Sequence, residues 1–153
     1  MKDSRITHVA LLDDDALVLP EGLAHAWAFA QAASRPTLVG GHMFDAANPG
    51  TLYRLGEVLD RKRFTWASLP GTPTHTDLAH TSVSDHVWLG PTRSVDFQRW
   101  WMCLVPRAVV ESTGMPMPFF TEWDDVEFGL RARAAGFRFR GASRGRRVAS
   151  LRG

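Results

Sequence analysis

Three consecutive aspartates, Asp13-Asp14-Asp15, follow directly on the apolar run Ile6-Thr7-His8-Val9-Ala10-Leu11-Leu12. That junction constrains the chain more than any other feature. A short apolar run stopped by a charged cluster reads as a buried strand. Three carboxylates cannot continue into a core without a large desolvation cost, so the strand must deliver its C-terminal end to solvent or to a cation. In an extended segment residues two apart share a face, which predicts Asp13 and Asp15 on one side and Asp14 on the other. Two like carboxylates held close repel each other, and a divalent cation relieves that repulsion. Mg²⁺ and Mn²⁺ prefer oxygen ligands and often share them with substrate phosphates. Ligands of open α/β sheets sit outside the carboxyl ends of strands, where this cluster falls. The competing reading is a polar turn from strand to helix.

The remaining chain alternates strand and helix signals. Pro20-Glu21 reads as a helix start, with Leu23, Ala26, Trp27 and Ala30 at helical spacing over residues 21–33 and Ser34-Arg35-Pro36 as its end. Thr37 to Phe44 reads as a second strand, in which Gly40-Gly41 permits a bend or a close backbone approach. Leu52 to Leu59, Arg63 to Ala67 and Val95 to Val105 read as further strands. Residues 68–94 show no period, and a loop of that length is usually functional or mobile. Pro106 opens a short helix ending near Gly114. Thr121-Glu122-Trp123-Asp124-Asp125 begins the clearest helix, which runs to about Ala135 with Val126, Leu130 and Ala134 on one face and Gly136 as its C′ residue. Phe137 to Phe139 reads as a strand. The alternation argues an α/β fold.

Composition narrows the function classes. A chain of 153 residues allows one domain with a real core. No apolar run approaches the ~20 residues that span a bilayer. Cys103 is the single cysteine, which excludes an internal disulfide and a cysteine metal cluster. These features point to a reducing, cytoplasmic setting. The net charge is only +2, but eight arginines fall between Arg131 and Arg152. Such a basic end suits nucleic acid or an anionic membrane surface, although a solvated tail is the simpler reading and no nucleic-acid partner is expected.

Two further constellations carry chemistry. Asp124 and Asp125 occupy the first turn of the predicted helix, where acids complement the helix dipole. Beside a metal-type cluster, such a carboxylate becomes a candidate general base. Trp100-Trp101 puts two aromatic rings side by side. In a strand, one of two adjacent residues faces the core and the other a cleft, so at most one of them is expected to serve as a sugar platform. His42, His75, His80 and His86 show no helical ligand spacing. Glycine-rich phosphate loops and nucleophile-elbow motifs are absent from the sequence.

Taken in order, Leu12 to Asp15, Leu38-Val39-Gly40-Gly41-His42-Met43, Gly56-Glu57-Val58-Leu59-Asp60-Arg61, Trp100-Trp101-Met102-Cys103 with Pro106-Arg107, and Phe120 to Ala132 resemble one family. They are similar to bacterial galactofuranosyltransferases of the polymerising mycobacterial type, which are inverting family-2 glycosyltransferases with a GT-A fold. The resemblance spans about residues 6–137. It implies a GT-A-like, Rossmann-related mixed sheet with flanking helices, of which this chain holds the C-terminal part of the catalytic domain. It implies UDP-galactofuranose as donor and a growing, lipid-linked galactan as acceptor. It implies Mn²⁺ or Mg²⁺ held by Asp13 and Asp15, Asp125 as catalytic base, and Asp124, Trp100, Trp101 and Trp123 as substrate-binding residues. An oligomeric enzyme peripheral to the inner face of the plasma membrane is the family expectation.

The sequence departs from that pattern twice. The family carries a nucleotide-binding half ahead of the acidic motif, whereas about a dozen residues precede Asp13 here. The family also places a metal-binding histidine on a strand after the Trp-Asp-Asp helix. Here Arg140-Gly141-Ala142-Ser143-Arg144-Gly145-Arg146-Arg147 stands instead, and His86 is the last histidine. The expected organisation is a partial glycosyltransferase domain over residues 1–137 and an arginine-rich, frameshifted or disordered tail over 138–153. The rival readings are a family-2 enzyme for a different sugar, and an inactive fragment with at most weak carbohydrate binding.

Overall fold

The computed structural model describes residues 3–89, 94–119, 122–141 and 149–152. In chain order the elements are β1 (His8–Leu11), β2 (Ala16–Val18), α1 (Pro20–Ala32), β3 (Thr37–Gly40), β4 (His42–Asp45), β5 (Thr51–Arg54), β6 (Glu57–Asp60), β7 (Thr65–Ser68), β8 (Thr76–Asp77), β9 (Cys103–Pro106), α2 (Arg107–Thr113), α3 (Asp124–Ala134), β10 (Arg138–Gly141) and β11 (Ala149–Arg152). Single 3₁₀ turns lie at Val83–Asp85 and Val87–Leu89. One sheet has the order β1-β9-β3-β10, a second β2-β11-β4-β5-β8, and β6-β7 is a separate hairpin. In the first sheet β9 runs antiparallel to β1 and β3, while β10 is parallel to β3. The C-terminal ends of β1, β3 and β10 therefore share one edge with the start of β9.

The sequence of β3 shows why this sheet sits in the middle. All four residues are buried, as expected where both faces are covered. Leu38 points into a layer with Val105, Val109, Phe128, Ala132 and Phe139, supplied by β9, α2, α3 and β10. Its neighbour Val39 points into the opposite layer with Ala26, Met43, Trp101, Met102 and Leu104, which α1 covers. Strand alternation thus splits one apolar run between two cores. Fully burying side chains such as Leu38 and Phe128 stabilises by roughly 1.5–3 kcal/mol each.

Helix α3 sits close to the segment before β9 because Gly129 faces Phe97. A Cβ at Gly129 would collide with the Phe97 side chain and backbone, so any larger residue would lift the helix and displace its N-terminus. Gly136 (φ +89°) follows the C-cap residue Ala135, as the sequence predicts. None of the described helices is long and apolar enough to cross a membrane.

Several boundaries differ from the expectations. The first strand is the edge of its sheet and only half buried. The predicted strand over 37–44 breaks at Gly41, whose carbonyl accepts hydrogen bonds from the Trp101 indole (2.8 Å) and the Gln98 amide (3.0 Å). The predicted strand over 95–105 is extended sheet only from Cys103 to Pro106. Upstream, Phe97 makes a lone bridge to Glu57 and the chain then turns at Trp100-Trp101. The short strands β2 and β8, of three and two residues, are too short to show a period.

Beyond Phe137 the sheets continue. β10 puts Phe139 into the core, and β11 lies between β2 and β4. Both strands belong to the segment read as a tail. The stretch Arg144 to Arg147 lies outside the described residues.

Candidate active site

The Asp13-Asp14-Asp15 cluster forms a turn between β1 and β2, closed by the Ala16 N–H donating to the Asp13 carbonyl at 3.3 Å. Strand alternation does not govern a turn, so it is not what relates Asp13 to Asp15. Asp13 is half buried, and Asp14 and Asp15 are exposed. The turn sits at the C-terminal end of β1, as the sheet-edge argument expects.

Among the described residues, no group of three His, Cys, Asp or Glu side chains could hold a metal ion unaided. Asp13 and Asp15 supply carboxylate oxygens two positions apart on this turn, the donor type that hard cations take.

The second acidic motif is built at the start of α3. Trp123, the residue before the helix, adopts a left-handed conformation (φ +79°). The first turn caps itself with acids: Asp124 Oδ1 accepts from the Asp125 N–H at 3.0 Å, and Asp125 Oδ1 accepts from the Val126 N–H at 2.7 Å. Asp124 is half exposed, whereas Asp125 is only 6% exposed.

A charged cluster surrounds Asp125. Arg99 Nε lies 3.6 Å from Asp125 Oδ2 and donates to Glu57 Oε2 at 2.7 Å. Glu57 is fully buried at the start of β6, and its Oε1 pairs with Arg54. Burial raises the Asp125 carboxyl to about 6, against the pull of Arg99, which acts to lower it. Burial also opposes the Arg99 charge, but the hydrogen bond and charge of Glu57, with Asp125 and Glu122, outweigh it and raise its pKa. Burial, with a smaller contribution from Asp125, pushes the nearby Cys103 thiol up to about 12, so that thiol is neutral.

Aromatic rings line the outside of this cluster. The Arg99 guanidinium lies 4.3 Å from the centre of the Trp66 ring. Trp66 meets Trp123 edge-on at 5.1 Å, and Trp123 stacks on Phe64 at 5.4 Å with the planes 25° apart. Phe64, at the tip of the β6-β7 hairpin, is 73% exposed and also has positive φ (+54°). Two non-glycine residues with unfavoured backbones therefore stack on each other, an arrangement found at functional sites more often than elsewhere.

The tryptophan pair divides between layers. Trp101 is core, 4% exposed with its N–H bound by the Gly41 carbonyl. Trp100 is half buried and meets Phe128 of α3 edge-on. The carbonyl of Trp100 also accepts from the Asp13 N–H at 2.6 Å, which ties the aspartate turn to the layer holding α3. The structure thus gathers Trp123, Asp124 and Asp125 at one place and links Asp13 to them through Trp100, while Trp101 faces the opposite layer.

Arg99, Glu57, Trp66 and Phe64 escaped the sequence reading as site residues. Glu57 falls in the stretch Gly56 to Arg61, and Trp66 and Phe64 in a predicted strand, but none shows any spacing to Asp125. Pairing of buried charges across 42 residues (Arg99 with Glu57) leaves no local signature.

Comparison with known proteins is consistent with this architecture. The family described as glycosyltransferase-like family 2 matches residues 2–145. The chain is 37% identical over 142 residues to galactofuranosyltransferase GlfT2 of Mycolicibacterium smegmatis, and 34% identical over 141 residues to galactofuranosyltransferase GlfT2 of Mycobacterium tuberculosis. Each match covers 90% of this chain but 22% of the relative, so the chain spans about a fifth of the length of these curated proteins. The mixed α/β architecture corresponds to part of a GT-A-like domain, and the chain belongs to glycosyltransferase family 2.

Proposed function

We propose that this chain carries the metal-binding turn and the catalytic base of an inverting galactofuranosyltransferase, with UDP-galactofuranose as donor and a lipid-linked galactan as acceptor at the inner face of the plasma membrane. The observation that carries the reading is Asp125, a buried carboxyl with its pKa raised to about 6, beside an exposed aromatic stack at a helix N-terminus. A carboxylate tuned toward neutral pH is suited to take a proton from a hydroxyl.

The reaction is a single displacement. An acceptor hydroxyl resting against the Phe64-Trp123 rings attacks the anomeric carbon of the donor. The new C–O bond forms as the bond to the diphosphate breaks, the proton passes to Asp125, and UDP leaves with the electron pair. Inversion follows from one attack on the face opposite the leaving group. Asp13 and Asp15 would hold a divalent cation, which when bound neutralises charge developing on the diphosphate. Asp124 lies beside the base, where its carboxylate can accept a hydrogen bond from the sugar.

The test is a transfer assay with the full chain, Mn²⁺, an oligogalactofuranose acceptor and a panel of UDP-sugars, read by mass spectrometry. Addition of one hexose from UDP-galactofuranose alone supports the reading. Transfer only from a different UDP-sugar overturns the donor, and no transfer from any donor overturns the activity for this chain.

A further inference from the structure

We propose that Arg99 is the positioning residue for Asp125: laid over Trp66 and hydrogen-bonded to Glu57, its guanidinium is held with its charge beside Asp125 Oδ2 and keeps that carboxylate in its proton-accepting form. The inference rests on the reading of Asp125 as base and deepens it.

The geometry leaves Arg99 little freedom. Its Nε is held by Glu57 Oε2 at 2.7 Å, and its guanidinium carbon lies 4.3 Å from the Trp66 ring centre. Glu57 does not absorb this charge alone, because Arg54 occupies its other oxygen. Two arginines and one glutamate leave the cluster positive, and the ionised Asp125 meets that charge through Oδ2 at 3.6 Å. The other carboxylate oxygen is fixed by the Val126 N–H. Oδ1 of Asp125 therefore takes a hydrogen bond from the helix, while Oδ2 faces the Arg99 charge at ion-pair distance, the Nε hydrogen being given to Glu57.

The remaining groups acting on Asp125 work the other way. Asp124 on the same helix and Glu57 on β6 both repel its charge, and Cys103 on β9 is neutral. Glu122 acts on Arg99. Among the described residues Arg99 is the cation that keeps Asp125 ionised against burial and two like charges. A lysine would carry the charge but could not reproduce the guanidinium's contact over Trp66 together with its Nε–H bond to Glu57.

The test follows the Asp125 carboxyl of the full chain by ¹³C NMR across pH, together with the pH profile of kcat/KM for transfer. In Arg99→Gln the Asp125 midpoint should rise by about one pH unit or more. The acid limb of the rate profile should move up by the same amount, and kcat at neutral pH should fall with little change in acceptor KM. Arg99→Lys should restore most of the shift. Glu57→Gln should lower the midpoint, because it removes a repelling charge and releases Arg99 to Asp125. A purely structural arginine would lower stability and leave both midpoints in place. An unmoved midpoint in folded Arg99→Gln overturns the inference. If that variant does not fold, an unmoved midpoint in Glu57→Gln overturns it. Shifted NMR midpoints without a matching limb in the rate profile uphold the Arg99-Asp125 pairing and sink the assignment of Asp125 as base.

Discussion

The backbone amide of Asp13 donates to the carbonyl of Trp100 at 2.6 Å, and the ring of that same Trp100 meets Phe128 on the helix that carries Asp125. The aspartate turn and helix α3, far apart in sequence, are joined through one residue. A disturbance at Trp100 should therefore reach both motifs.

For the aspartate turn, exposure decides the outcome. Asp15 lies at the surface, and surface substitutions usually change stability by no more than about 0.5 kcal/mol. Asp15→Asn should leave the melting temperature nearly unchanged and weaken Mn²⁺-dependent transfer by at least about tenfold, since the proposed cation would lose one of its two anionic ligands. Calorimetric Mn²⁺ titration in the presence of UDP, with a thermal melt alongside, checks both halves. Unchanged Mn²⁺ affinity would remove Asp15 from the metal site.

Asp125 should trade stability for activity. Its folded-state pKa of about 6 exceeds the ordinary 3.8, so the folded chain holds this proton more tightly than the unfolded chain. The stability this supplies is fully present below about pH 4 and is lost as pH rises through about 6, a difference of about 3 kcal/mol by linkage. Asp125→Asn is nearly isosteric and keeps an acceptor for the Val126 N–H. It should flatten the pH dependence of the melting temperature between pH 4 and 7. It should also lower kcat by roughly 10²–10⁴ with donor affinity preserved. Loss expressed only in KM would make Asp125 a binding residue.

Much of this fold was legible because its signals are local. Pro20 and Pro106 start helices, Gly114 and Gly136 end them, and the acids at Asp124 and Asp125 mark a helix N-terminus. The division of β3 between two cores was not legible, since an unbroken apolar run does not say which neighbour will cover each face. The geometry of the Asp13 to Asp15 turn was not legible for a similar reason: strand period stops applying after Leu11, where the chain leaves β1 for a turn. The Asp125 environment was invisible, because it depends on Arg99 and Glu57 arriving from other segments with no spacing rule to reveal them.

Trp101 gives a stability prediction that separates it from its neighbour. It is buried, and its indole N–H shares the Gly41 carbonyl with Gln98. Trp101→Phe removes one hydrogen bond and part of a ring, leaves the carbonyl still satisfied, and should cost about 1–3 kcal/mol. Trp100→Phe keeps the edge contact to Phe128 and involves no indole hydrogen bond found in the structure, so it should cost less than about 1 kcal/mol. Urea denaturation of the two variants checks the order, and equal losses would show that Trp100 is as much a part of the core as Trp101.

Phe64 should show the reverse profile, function without stability. The residue is 73% exposed and its ring packs on Trp123 at the hairpin tip, so its removal uncovers little that was dry. Its positive φ of +54° is an unfavoured conformation for an aromatic residue. A glycine there would relax the backbone and offset part of the lost stacking, which for an exposed aromatic pair is worth about 0.5–1.5 kcal/mol. Phe64→Gly should thus unfold within about 1 kcal/mol of the parent. If the Phe64-Trp123 stack is where the acceptor sugar rests, the same change should raise acceptor KM about tenfold while kcat at saturation and donor KM stay put, since the lost contact is made equally in ground and transition states. Phe64→Tyr, which keeps the ring face, should behave as the parent. An unchanged acceptor KM in Phe64→Gly would remove the stack from the acceptor path and leave it as a clasp between the hairpin and α3.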